Sequence, residues 1–304
     1  MTTATRAALA ANAEPARVGR DARAPFGTYA PDAATARALR FTRAMPRNWV
    51  GQRLAYLVRH LAVARLRGRP LDVETYGSRM RLQPRDDVSE KRVLFTPQFF
   101  DPVERDLLAA EIARALRAAR PGERARFHFV DVGAGAGAYS LFVAALAGPG
   151  ARVLAVEPQP EVFDRLTFNV AQNALGAVKC VDCAVADCNG PVTLFMHPRN
   201  RGQASLTLVG ADVERAVRVP ARTLKSLLED EGFERVDAMK LNVEGADDIV
   251  LEPFLREAPP SLRPRLLITE HGRDRWRTDV VALLAAHGYA AIAETRLNRV
   301  FRLG

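Results

Sequence analysis

"FVDVGAGAGAYS", Phe129 to Ser140, is the stretch on which the fold turns. It continues a nearly apolar run that begins at Phe127 and ends at Val132. A run of that length and composition reads as a strand buried on both faces, as in a parallel sheet. Gly133, Gly135 and Gly137 follow at alternate positions, and Tyr139–Leu146 reads as a helix. Glycine permits positive φ and lets main chain approach a ligand with no Cβ between them. The first N–H groups of the helix are free to donate. A bound molecule is therefore expected against this turn.

Strand and helix signals alternate downstream of the turn. Arg152–Val156 reads as a strand, Glu161–Asn173 as a helix and Val178–Val185 as a third strand. "GPVTLFMHP" and "ASLTLVGADVERAVRVPA" read as shorter β insertions before a helix at Leu224–Glu231. "VDAMKLNV" and "RLLITEH" read as the fourth and fifth strands. "GADDIVLEPFL" and "WRTDVVALLAAHG" read as helices, and "YAAIAETRLNRVFRLG" as a closing hairpin. The expected fold class is α/β, a doubly wound, mostly parallel Rossmann-like sheet over residues 127–304.

Residues 1–45 are expected to form a disordered or weakly ordered tail, and residues 46–126 an accessory α+β region. In the latter, Val50, Leu54, Leu57, Val58 and Leu61 recur at helical spacing. A helix packed on the main domain is expected; the other reading is an interfacial helix making peripheral membrane contact through 49–67. "LDVETYGSRMRLQP" has a hairpin pattern around Tyr76-Gly77, and Asp101-Pro102 marks a helix start.

Composition narrows the function. The 304 residues are 48% hydrophobic, enough for a substantial core. No apolar run reaches the ~18 residues of a spanning helix, and the amino terminus shows no apolar leader core, so a cytoplasmic location is expected. The formal charge is +9. A nucleic-acid footprint should cluster, and the arginines read as interleaved with Asp and Glu, so nucleic acid is the alternative partner, not the expected one. Cys180, Cys183 and Cys188 are expected to be free thiols, because the C-x2-C has no second pair with which to hold zinc.

The glycines alone also fit a dinucleotide fingerprint, which keeps a nicotinamide-dependent oxidoreductase among the alternatives. Two carboxylates separate the cases. Asp131 stands two residues before the first glycine, where a pyrophosphate would be repelled and an ammonium welcomed. Glu157 ends the second strand, where a carboxylate accepts both hydroxyls of a ribose. Cation, ribose and no phosphate describe S-adenosylmethionine.

"VDVGAGAGAYS", "VLAVEPQPEVFDRLTFNVAQN", "AVADCNGPVTL", "ASL", "RTLKSLL" and "MKLNVEGADDIVL" occur in an order and spacing that resemble the FkbM-type methyltransferases, within the class I fold. The resemblance covers Phe127 to Glu270. It implies methyl transfer to the hydroxyl of a small molecule, sugar or glycosylated natural product. It also implies that Gly133, Ala134, Gly135 and Gly137 hold the methionine part of the cofactor, with Asp131 beside it and Tyr139 at the helix start. Glu157 would take the ribose, Pro158 would shape the exit, and Asp182, Cys183 and Ala184 would face the adenine. Ser205 and Leu206 match an insertion near the acceptor. Asn242, Glu244 and Gly245 match the motif after the fourth strand. The family usually carries Asn or another polar residue at the position of Gly135 and Asp at that of Asn242. The first change removes a side-chain contact, and the second replaces a base with an amide. His271 or Glu270, at the end of the fifth strand, is the expected proton acceptor, with Asn242 and Glu244 alongside. These residues offer too few hard oxygen donors for Mg²⁺, and no metal is expected.

Overall fold

The computed structural model describes residues 24–85, 87–118, 126–173, 176–196, 204–205, 215–271 and 276–304. The chain opens with α1 (Ala33–Ala44) and α2 (Trp49–Leu66), followed by the hairpin β1 (Leu71–Thr75) and β2 (Ser78–Leu82). Next come α3 (Val88–Phe95), a 3₁₀ turn at Pro97–Phe99 and α4 (Pro102–Arg117). The alternating part runs β3 (Phe127–Val132), α5 (Ala138–Ala147), β4 (Ala151–Val156), α6 (Pro160–Ala171) and β5 (Val178–Val181). An insertion follows, made of β6 (Ala184–Ala186), β7 (Gly190–Met196), β8 (Ala204–Ser205) and β9 (Arg215–Thr223). Then come α7 (Leu224–Asp230), β10 (Ala238–Leu241), α8 (Asp247–Glu257), β11 (Leu266–Glu270), α9 (Val280–Ala286), β12 (Tyr289–Glu294) and β13 (Asn298–Leu303).

The main sheet has seven strands in the order β12-β13-β11-β10-β3-β4-β5. The five strands from β11 to β5 pair in parallel, and β13 and β12 close the far edge antiparallel. This is the expected doubly wound class I arrangement. Strand order reverses at β3, with β4 on one side and β10 on the other, so the crevice beyond their carboxyl ends is the switch point of the sheet.

The expected third strand is divided. Main-sheet pairing stops at Val181, and β6 pairs with β9 in a second sheet of order β6-β9-β7-β8. The alternation of side chains explains the split. Cys183 and Val185 join the core beneath the main sheet, while Ala184 and Ala186 pack with Leu194, Val219 and Ala221. Within the expected tail, residues 33–44 form α1. Asp72 accepts hydrogen bonds from the N–H groups of Gly27 (2.7 Å) and Tyr29 (3.1 Å), Asp32 caps α1, and Leu39 is buried. Leu39, Leu71, Val93, Phe129 and Val300 belong to one core, so the accessory region and the sheet share a hydrophobic interior. The last helix starts at Val280, not at Trp276, because Asp279 caps the N–H groups of Val281 and Ala282. The cysteines are free, and Cys188 is exposed.

α2 forms where its periodicity places it but packs the other way round. Its buried residues are Gly51, Ala55 and Ala62, whereas Val50, Leu54, Leu57 and Leu61 are exposed. Small side chains let the helix approach closely; a Cβ on Gly51 would overlap the Pro46 carbonyl.

Candidate active site

The turn after β3 is fastened before any ligand is considered. Gly133 and Ala134 both donate main-chain N–H groups to the Val156 carbonyl at the end of β4. Gly133 has φ +72, and a Cβ there would overlap the carbonyl oxygen of Asn242 beyond β10. Glycine at this position is therefore required by the close approach of two strand-end loops. Gly135, at φ +57, differs: the space a Cβ would take is empty and opens into the cavity.

Glu157 completes the floor. Its Oε2 accepts the Gly135 N–H at 2.9 Å and its Oε1 accepts the Gln159 N–H at 3.0 Å. Burial pushes its carboxyl up to about 7 against those two bonds. Asp131 lies deeper, and burial raises it to about 6 although Ser140 Oγ donates to it at 2.6 Å. Lys240 on β10 is in register with Asp131, and its charge favours the ionised carboxylate. Lys240 is itself buried and lines the cavity. The sequence signal for it is a lone cation inside the apolar strand "AMKL".

The cavity extends past the strand ends of β10 and β11. Asn242, Glu244 and Glu270 line it. With its amide nitrogen toward β11, Asn242 donates to both carboxylate oxygens of Glu270. Asp247, at the start of α8, is pushed up to about 7, first by burial and then by the charge of Glu270. An amide at position 242 thus braces a carboxylate, where a second acid would repel it.

The opposite wall comes from the accessory region. Leu82, Glu90, Arg92, Phe100 and Asp101 line it; none is among the site residues expected from sequence, where Asp101 marks only a helix start. Glu90 forms a buried ion pair with Arg165 of α6, which ties α3 to the main domain. Arg92 pairs with Asp101 at 3.1 Å, and the Tyr139 hydroxyl donates to Asp101 at 3.2 Å. Asn169 on α6 accepts the Arg81 N–H of β2 at 2.6 Å and donates to the Ala136 carbonyl in the glycine turn at 2.9 Å. These side chains fix the accessory wall against the floor.

Among the expected cofactor residues, Asp131, Gly133, Ala134, Gly135, Tyr139, Glu157, Pro158, Cys183 and Ala184 line the cavity. Gly137 and Asp182 do not. Gly137 precedes α5, packed on Leu166, and Asp182 is exposed. Of the catalytic candidates, His271 does not line the cavity either. Its Nε2 is 2.7 Å from the Thr295 carbonyl in the turn between β12 and β13, and its main-chain N–H donates to Leu297. Ser205 sits in β8 opposite Phe195, and Leu206 lies outside the described residues.

The chain is 29% identical to methyltransferase sdnD of Sordaria araneosa, over 52% of this chain and 80% of that protein. It is 27% identical to the 31-O-demethyl-FK506 methyltransferase FkbM of Streptomyces tacrolimicus, over 54% of this chain and 73% of the other. Among solved structures, the human methyltransferase 10 domain containing protein overlays with a TM-score of 0.46 at 16% identity, covering 85% of this chain and 98% of that one. The methyltransferase FkbM from Methylobacillus flagellatus KT overlays with a TM-score of 0.38 at 14% identity, covering 82% and 60%. The family described as Methyltransferase FkbM domain matches residues 131–291, from the floor acid Asp131 into β12. The chain is a methyltransferase and belongs to the FkbM methyltransferase domain family.

Proposed function

We propose that this methyltransferase takes its methyl group from S-adenosylmethionine and delivers it to a hydroxyl on a small molecule, a sugar or a glycosylated natural product. The observation that carries the donor is the floor: Glu157 held by the Gly135 N–H, with Asp131 buried behind it. The residues present fit that cofactor. Gly135 leaves space where a side chain would stand, Glu157 retains lone pairs for ribose hydroxyls, and Asp131 offers a carboxylate to an ammonium. A pyrophosphate on the same turn would face both acids, which counts against a nicotinamide dinucleotide. When bound, S-adenosylmethionine supplies a methyl on a positively charged sulfur with a neutral leaving group.

The chain has two tasks beyond holding that group. One is alignment of the acceptor, which contributes up to about 7–11 kcal/mol where the geometry is fixed. The accessory wall, with Arg92, Asp101 and Phe100, is placed to do this. The other is removal of the hydroxyl proton. Glu270 takes that role because it lines the cavity and Asn242 orients it. Glu244 lies beside it with φ +53, a left-handed conformation that aims the loop at the cavity. His271 is not assigned to proton transfer, since its ring serves the hairpin turn. Support for oxygen as the acceptor atom also comes from the relative whose name specifies a 31-O position.

The test is incubation of the protein with methyl-labelled S-adenosylmethionine and a small-molecule extract of its own source. The expected product is a labelled, alkali-stable methyl ether. Label on protein or nucleic acid, or as an alkali-labile ester, would contradict the proposal.

A further inference from the structure

The longest stretch of the chain without acids carries a run of arginines. Between Asp32 and Asp72 there is no Asp or Glu, and nine arginines fall there: Arg37, Arg40, Arg43, Arg47, Arg53, Arg59, Arg65, Arg67 and Arg69. Nine is also the whole formal net charge, so the rest of the chain is electrically balanced. The net positive excess of the chain equals the charge carried by α1, α2 and their flanks.

The same stretch presents the longest exposed apolar stripe among the described residues. Trp49 is 68% exposed, Leu57 60% and Leu61 63%, with Val50 and Leu54 between them. At 100° per residue, Val50, Leu54, Leu57 and Leu61 form one line along α2. Arg53 and Arg65 flank that line on opposite sides and are exposed. Arg53 stacks its guanidinium over the Trp49 ring at 5.1 Å. Among the described residues, Arg65 makes a surface pair with Asp32 and Arg47 one with Asp106, both of a kind that exchanges readily with other anions. The stripe is not left over from a failed core contact, because the opposite face of α2 is already packed through Gly51, Ala55 and Ala62.

We propose that this face of α2 docks on the surface of an anionic lipid bilayer. An apolar ridge bordered by arginines, with a tryptophan at one end and no acid in the helix, suits the boundary between acyl chains and anionic headgroups. A nucleic acid would use the arginines but leave the leucine ridge in water. A second copy of this chain would set two acid-free arginine faces against each other. No helix among the described residues is long and apolar enough to cross a membrane, so the contact lies in the interface plane. α2 also packs on the segment that leads into the cavity wall: Arg59 donates to Thr96 Oγ1 at 3.1 Å, just beyond α3, and Tyr56 meets Phe99 edge-on, next to the lining residue Phe100. Docking thus places the accessory wall near the lipid surface, whatever acceptor the site takes.

The test is co-sedimentation of the full chain with vesicles of phosphatidylcholine and phosphatidylglycerol, against vesicles of phosphatidylcholine alone. Binding is expected to be at least about tenfold stronger to the anionic vesicles and to weaken with added salt. The double variant Leu57→Glu/Leu61→Glu should lose most of it while keeping its far-UV circular dichroism. If that variant fails to fold, Arg53→Glu/Arg65→Glu, altered only at exposed positions, serves in its place. A blue shift of emission on vesicles, absent from Trp49→Phe, would locate the contact. No binding to either vesicle, or equal binding by both double variants and the parent, would overturn the proposal. So would retention of RNA without vesicle binding, or a dimer by light scattering that Leu57→Glu/Leu61→Glu abolishes.

Discussion

The floor of the cavity, from Gly133 to Gly135 and Glu157, is shaped by main-chain groups, whereas the wall from Leu82 to Asp101 is held by paired side chains. On the floor, carboxylates meet N–H groups and burial, and their pKa values rise. Across the cavity, acids such as Glu90 and Asp101 meet arginines, and burial still raises Glu90 to about 7, so the two sides differ in what holds their acids and not in the direction of the shift. The difference teaches a division of labour. Main-chain geometry tolerates little change and suits a ligand that does not vary, the methyl donor. Side-chain pairs hold the side of the cavity proposed for the acceptor.

The largest expected effect breaks the floor. Gly133→Ala forces a Cβ into the Asn242 carbonyl at a positive φ, and should cost about 3 kcal/mol or more of stability. Gly135→Ala has open space around it and should cost only about 1 kcal/mol, from backbone strain. Thermal unfolding of the pair measures the contrast; equal midpoints would remove the argument that the two glycines have different reasons. Next in size, Glu270→Gln should lower kcat by about 10²–10⁴ with cofactor affinity unchanged. Single-turnover kinetics would check it, and an unaltered rate would exclude Glu270 as proton acceptor.

A smaller effect follows from pH. Folding raises Glu157 to about 7 and Asp131 to about 6, both through burial. Only their ionised forms attract a cationic nucleoside, so affinity for S-adenosylmethionine should fall as pH drops from about 8 to about 6, by at most about tenfold per unit for each group. Stability moves in the opposite sense. Groups whose pKa is raised by folding contribute stability at low pH that is lost as pH rises through about 6 to 7. Calorimetric titration and urea unfolding at matched pH values would separate the two slopes. The smallest effect is on the accessory wall. Asp101 has φ +41, a conformation Asn also accepts, so Asp101→Asn keeps the backbone while weakening the bonds from Arg92 and Tyr139. The expected loss is about 1–2 kcal/mol, read as a change in acceptor KM with donor affinity unaltered.

The floor was legible in the sequence because its signals are local. A buried strand, three glycines and an acid at the end of the next strand fix the turn, and the alternation of elements fixes the sheet. The accessory wall was not, because its contacts join distant segments: Glu90 to Arg165, Arg81 to Asn169, Asp101 to Tyr139. α3 is a short helix whose role depends on α6. Periodicity placed the apolar stripe of α2 but could not tell which side faced the protein, since Gly51, Ala55 and Ala62 repeat with the same helical spacing. The break after β5 was hidden because one continuous apolar run, Cys183 to Ala186, serves two cores. His271 looked like Glu270 in sequence, being adjacent to it at a strand end. Successive side chains of a strand point to opposite faces, and only Glu270 meets the cavity.

The most direct test of the central claim, that the floor acids recognise a sulfonium nucleoside, is calorimetric titration of S-adenosylmethionine into the parent chain, Glu157→Gln and Asp131→Asn. The predicted result is affinity of micromolar order in the parent and a loss of about tenfold or more in each variant. Unchanged affinity in Glu157→Gln, or saturable binding of NAD in place of S-adenosylmethionine, would contradict it.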